Sequence, residues 1–199
     1  MGVTAVIAEF VAGHRFSRIP KPVVERAKGH VLDGIGVMLA GHKERGTRIL
    51  REHYGSMGGN PDAAVLGTPL RLPCQWAALV NGAAGHAMDY DDTQLSTSKT
   101  SVYGLLTHPT VPVLAACLSL GEVLKASGKA LLHAYIVGVE VECRIADAIN
   151  PRHYQHGFHA TATMGGLGAT AAAAVLLKLK RDQVLRALGL SASMAAGLR

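Results

Sequence analysis

The sequence predicts an all-α fold, and three observations carry that reading. The 199 residues are 49% hydrophobic yet only 5% aromatic, a composition that suits closely packed helices better than a sandwich of strands rich in Val, Tyr and Phe. The chain holds 23 Gly alongside long Ala-rich tracts, small side chains that let helices approach one another. Apolar residues recur at helical spacing through most of its length instead of alternating. A chain this long can bury a sizeable core, and no fixed-period repeat or low-complexity linker divides it, so residues 1–199 read as a single helical domain.

The elements follow in order. Between Thr4 and Ala12 the residues Val6, Ile7, Phe10 and Val11 repeat at helical spacing. Ile19-Pro20 and Pro22 restart the chain for a helix from about Pro22 to Ala40, with Val24, Ala27, Val31, Ile35 and Leu39 as its apolar stripe. Gly34 and Gly36 inside it lower helix propensity and point to close approach by a neighbour. A short helix is predicted from Thr47 to Tyr54, then turn chemistry with one brief extended piece at Ala64 to Leu66. Pro73 opens a small-residue helix, Gln75 to Met88, which delivers Asp89, Asp91 and Asp92 at its C-terminal end. A polar loop leads to a helix started by His108-Pro109, a longer helix from Gly128 to Asn150, a His-rich loop from Pro151 and a Gly/Ala helix. A last helix runs from Asp182 to about Leu190.

Several classes are excluded. The net charge of +6 comes from scattered Lys and Arg without aromatic interleaving, so no nucleic-acid partner is predicted, and a pocket for small anions explains the surplus. Cys74, Cys117 and Cys143 are odd in number and lack metal spacing, which reads as buried thiols in a reducing cytoplasm. The N-terminus lacks the basic, apolar and small-residue blocks of an export signal, and the Ala160–Leu177 run is too weakly apolar for a membrane span.

Carboxylates are disfavoured at a helix C-terminus because the macrodipole is negative there, so the Asp cluster argues for chemistry over capping, although Asp92 could cap the following helix. The spelling D-Y-D-D is also that of the proton-donating acid of terpene cyclases, but 3 Phe and 1 Trp cannot line a pocket that stabilises carbocations. His86 lies three residues before Asp89, His108 precedes a proline, and His153, His156 and His159 share one loop. Their spacing offers neither HExxH nor a zinc knuckle, so no metal is expected, and acid/base work by His and Asp on an anion fits instead. In the run T-A-T-M-G-G-L-G-A from Thr161, hydroxyls and helix-start N–H groups could receive a carboxylate.

The sequences NGAAGHAMDYDDT at 81–93, HPT at 108–110 and GFHATATMG at 157–165 resemble the MmgE/PrpD family, whose pattern is N-G-x-x-x-H-x-x-D-[FY]-D-D-T, then H-P-[ST], then G-[FY]-H-x-T-x-x-x-G. The likeness covers essentially the whole chain and implies an MmgE/PrpD-type helical domain paired in a homodimer, acting without an iron–sulfur cluster or other cofactor on di- or tricarboxylates. By motif position it implies catalytic roles for Asp89, His108 and His159, and substrate contacts from Thr93, with His86 and Thr161 beside them. The implied reaction is proton transfer α to a carboxylate, foremost a 2-methylcitrate dehydratase-like elimination, with cis-aconitate decarboxylation or iminodisuccinate epimerisation as alternatives. A catalytically incomplete dimerisation or binding module is a further alternative. The loop from Gln94 to Thr107 is long for the family pattern, and the family's active-site Lys and smaller α/β lid domain fall beyond the equivalent of Arg199.

Overall fold

A computed structural model describes residues 2–96 and 106–197. The middle of the long polar loop, residues 97–105, lies outside the described residues, as do the last two residues of the terminal SASMAAGLR run. Among the described residues the helices are α1 (Val3–Gly13), α2 (Lys21–Gly41), α3 (Arg45–Met57), α4 (Cys74–His86), α5 (Thr110–Val123), α6 (Gly128–Ile149), α7 (Arg152–Gln155), α8 (Ala160–Leu176) and α9 (Arg181–Met194). A 3-10 turn at Phe16–Arg18 links α1 to α2. The fold is all-α, as composition and periodicity predict.

Helix α5 is the axis of the core. Its Val111, Val113, Leu114, Ala115 and Cys117 are buried against Ala27 and Met38 of α2, Ala134 and Tyr135 of α6, and Ala172 and Leu176 of α8. Burial there pushes the Cys117 thiol up to about 12, which leaves it an inert packing residue. On the far side α1 lays Ala8 and Val11 against Ala171 and Ala174 of α8 and Val184 and Leu188 of α9. Small residues set how near the helices come: a Cβ on Gly138 of α6 would stand 2.8 Å from the Gly168 carbonyl oxygen of α8. The Gly-rich run after Thr161 is thus helix-packing surface.

Where prediction and structure part, local partners decide. The extended piece is strand β1 (Ala63–Ala64), paired antiparallel with β2 (Arg71–Leu72), a second strand hidden in sequence by its turn-rich setting. The hairpin is held from outside: the buried Asn81 of α4 accepts from Leu66 N–H and donates to the Ala64 carbonyl, each at 2.9 Å. Glu122 of α5 accepts the Ala64 N–H at 2.8 Å and pairs with Arg71 at 2.6 Å. Helix α3 is longer than predicted and stops at Gly58, whose φ of 70° suits glycine. The His-rich loop contains the short helix α7, and α9 continues through Ser191 to Met194. The Asp cluster is not on a helix at all, since α4 ends at His86 and Asp89 turns the chain with φ at 56°.

Gly34 and Gly36 separate in the same way. A Cβ on Gly34 would meet Leu114 Cδ2 at 2.6 Å, while Gly36 has nothing within 4 Å. Gly41 of α2 faces the Ala84 carbonyl oxygen of α4 so closely that an added Cβ has no space. We expect Gly41→Ala to lose about 1–3 kcal/mol, the clash outweighing the gain of about 1 kcal/mol in helix propensity. Gly29→Ala, in the same helix with nothing within 4 Å, should gain up to about 1 kcal/mol. Urea unfolding of both variants checks the pair.

Candidate active site

The end of α4, the start of α5 and the start of α8 meet at one place. Asp92 fastens the first two: Oδ1 accepts the Thr110 N–H at 3.1 Å and Oδ2 accepts the Thr110 hydroxyl at 2.6 Å. Because that hydroxyl has one proton, the Tyr135 hydroxyl 2.7 Å away donates to it. Asp92 therefore caps α5 with charge of the favourable sign, and His30 stands 3.4 Å from its Oδ2. Gln94 pairs with the residues before His108, its N–H donating to the Thr107 carbonyl and its carbonyl accepting the Leu106 N–H, both at 2.9 Å.

This closure gathers the imidazoles and carboxylates. His86 Nδ1 bonds the buried Asp91 carboxylate at 2.9 and 3.1 Å. That hydrogen bond raises the His86 pKa above its usual 6.5 against the opposing effect of burial. His108 is 7% exposed. Its Nε2 faces Asp89 Oδ1 at 3.8 Å and its Nδ1 faces Asp91 Oδ1 at 3.6 Å, too long for hydrogen bonds, and Nδ1 has no hydrogen-bond partner among the described residues. The His86 ring meets the His108 ring edge-on with centroids 4.8 Å apart, and the His159 ring at 6.1 Å. His159 is the N-cap of α8, its Nδ1 accepting the Ala162 N–H at 3.3 Å, so its proton sits on Nε2. Burial foremost, then the neighbouring His86 and His108, lowers its pKa below 6.5.

The remaining sequence-predicted residues have different surroundings. Thr161, expected beside substrate, uses its hydroxyl to accept the His108 backbone N–H at 2.9 Å. Thr93 is exposed on the strand of chain that follows Asp92. His153 and His156 stay outside the cluster: His153 Nε2 lies 2.8 Å from the Thr163 hydroxyl, and His156 Nδ1 lies 2.7 Å from the Arg152 carbonyl. Sequence reasoning passed over Glu142, which on the α6 pattern is simply a polar position, yet it is fully buried and accepts the Thr107 hydroxyl at 2.6 Å. A signal was available, since Glu142 lies four positions from Gly138 and four from Ala146 on the face that packs inward.

One donor atom each from His86, Asp89, Asp91 and His108 falls within 4.8 Å of all the others, a set that could hold a metal ion and that no local spacing reveals. A cavity of about 1090 Å³ lies elsewhere, lined by His14, Arg15, His133 and Lys178 among others. Among the described residues its lining includes no Asp or Glu, whereas the His/Asp cluster joins imidazoles with carboxylates directly.

The MmgE/PrpD N-terminal domain profile matches residues 5–199. The chain belongs to the MmgE/PrpD family. Among curated proteins it is similar to cis-aconitate decarboxylase of Homo sapiens, 32% identical over 97% of this chain and 40% of that protein. It resembles the Mus musculus enzyme of that name at 32% identity over 97% of this chain and 39% of that protein. The Aspergillus terreus enzyme of the same name is 31% identical over 99% of this chain and 40% of that protein. The chain thus spans about 40% of the length of these relatives. The segments that carry the MmgE/PrpD motifs are the ones that converge at the His/Asp cluster.

The Asp91 contact gives a pH prediction. With its folded pKa raised, His86 contributes stability that is fully present below 6.5 and is lost as pH rises through the folded value. Asp91→Asn should lower the His86 midpoint relative to the unaltered protein, because burial is then opposed only by the charge of Asp89. NMR titration of the His86 ring protons in both proteins reads this directly.

Proposed function

We propose that this protein is the N-terminal part of a cofactor-independent acid/base lyase acting α to a carboxylate of a di- or tricarboxylate. The observation that carries the reading is a buried imidazole, His108, set between two carboxylates and opening toward the exposed one, Asp89. A group in that position can take or give a proton, and Asp89 can stabilise the imidazolium that results. His159, with its proton on Nε2, is a donor suited to a substrate carboxylate, and as the N-cap of α8 it stands at a helix start whose dipole favours the same anion. His86 borders this place and Thr161 holds the His108 backbone, while the exposed Thr93, next to Asp92, is assigned a substrate-orienting role from its motif position.

The relatives named above favour cis-aconitate-type decarboxylation. In that reaction the bond to the departing carboxylate breaks, carbon dioxide leaves, and the electron pair takes a proton from the His108 imidazolium. The dehydration that the motifs suggest uses the same groups in reverse order: His108 abstracts the α-proton and hydroxide leaves. Epimerisation returns the proton to the other face. Pairing into a homodimer and a cytoplasmic location belong to this reading. A second reading, a binding or dimerisation module, draws on the chain spanning only about 40% of its relatives' length.

The test is proton NMR in deuterated water with cis-aconitate, 2-methylcitrate and iminodisuccinate in turn. Loss of carbon dioxide, loss of water, or exchange alone identifies the branch. We expect His108→Asn to lower turnover by about 10²–10⁴-fold with the fold retained. Turnover like that of the unaltered protein would sink the acid/base reading, and no turnover of any of the three would favour the binding module.

A further inference from the structure

We propose that Glu142 is a positioning residue for His108, its buried carboxyl anchoring the Thr107–Thr161 hydroxyl pair that holds the His108 backbone. The inference rests on the reading of His108 as the acid/base group. Glu142 lies in α6 and is 0% exposed. Its Oε1 accepts the Thr107 hydroxyl at 2.6 Å. The Thr107 and Thr161 hydroxyls are 3.3 Å apart, and Thr161 Oγ1 accepts the His108 N–H at 2.9 Å.

The proton count gives this chain a direction. Thr107 has one hydroxyl proton and directs it mainly to Glu142 at 2.6 Å, leaving only a longer 3.3 Å contact to the Thr161 oxygen that accepts the His108 N–H. Without the carboxyl, the Thr107 proton is free to turn toward Thr161, and the lone pair that holds His108 gains a competitor. The chain ends on a backbone N–H, not on the ring, so it places the imidazole and carries no proton to it.

The carboxyl is also in a place that serves nothing else visible. Glu142 Oε2 has no hydrogen-bond partner among the described residues, and a Cβ on Gly168 would stand 2.9 Å from it. Desolvation lifts its pKa well above the usual range, against the Thr107 hydrogen bond. An apolar side chain would fill this space without leaving an orphaned oxygen, so packing alone does not call for a carboxyl.

The test needs no turnover, so its failure is distinct from failure of the proposed reaction. Amide hydrogen exchange at His108 is measured by NMR in the 199-residue chain and in Glu142→Leu, Thr107→Val and Glu142→Gln. We expect the Leu and Val variants to exchange the His108 amide about tenfold faster or more, and the Gln variant, which keeps an acceptor, to stay within about threefold. Core amides of Val113 and Leu114 serve as the reference for general loosening. Unchanged His108 exchange in Glu142→Leu, or a Gln variant that behaves like Leu, overturns the proposal. If Glu142→Leu does not fold, unchanged exchange in Thr107→Val overturns it equally.

Discussion

The Asp92–Thr110 contact is the interaction on which the site depends. One carboxylate accepts both the first N–H of α5 and the side-chain hydroxyl of the same residue. It fixes the turn after α4 against the start of the core helix, and the distances from His108 to Asp89 and Asp91 follow from that closure. The contact is itself backed by the buried Tyr135 of α6, so the loop inherits the rigidity of the core.

Three adjacent-looking carboxylates thereby acquire three environments. Asp92 is spent on the helix start, Asp91 on His86, and Asp89 is left 77% exposed with the His108 imidazole 3.8 Å away. Mutual repulsion is relieved because each of the first two faces a donor of its own. Asp89 reaches its position through a left-handed backbone that Asp tolerates better than most residues.

Much of this was legible in the sequence, and the boundary is physical. Helical spacing and proline punctuation located the helices, because those signals are local. The motif segments at 81–93, 108–110 and 157–165 named the residues that now cluster. What spacing could not supply is which atom each side chain would meet. Thr161 carries a hydroxyl suited to an anion, but the His108 amide has it, and that pairing is fixed only by how α5 packs on α8. The inward face of α6 hinted that Glu142 is buried, but its partner Thr107 is fixed only by packing, as the hairpin of Ala63–Ala64 and Arg71–Leu72 depends on Asn81 holding Ala64 and Glu122 pairing with Arg71.

The crossing of α6 and α8 has a consequence for evolution and engineering. Gly168 sits in mid-helix, where replacing glycine with alanine is an ordinary route to greater stability. A methyl group there would stand 2.8 Å from Glu142 Cβ and 3.0 Å from the Gly138 carbonyl oxygen. The helix would gain propensity while its neighbour, and the hydroxyls leaning on that neighbour, would be forced to shift. As at Gly41, the clash outweighs the propensity gained, so one missing methyl group sets both how closely α6 and α8 pack and where the Glu142 carboxyl stands.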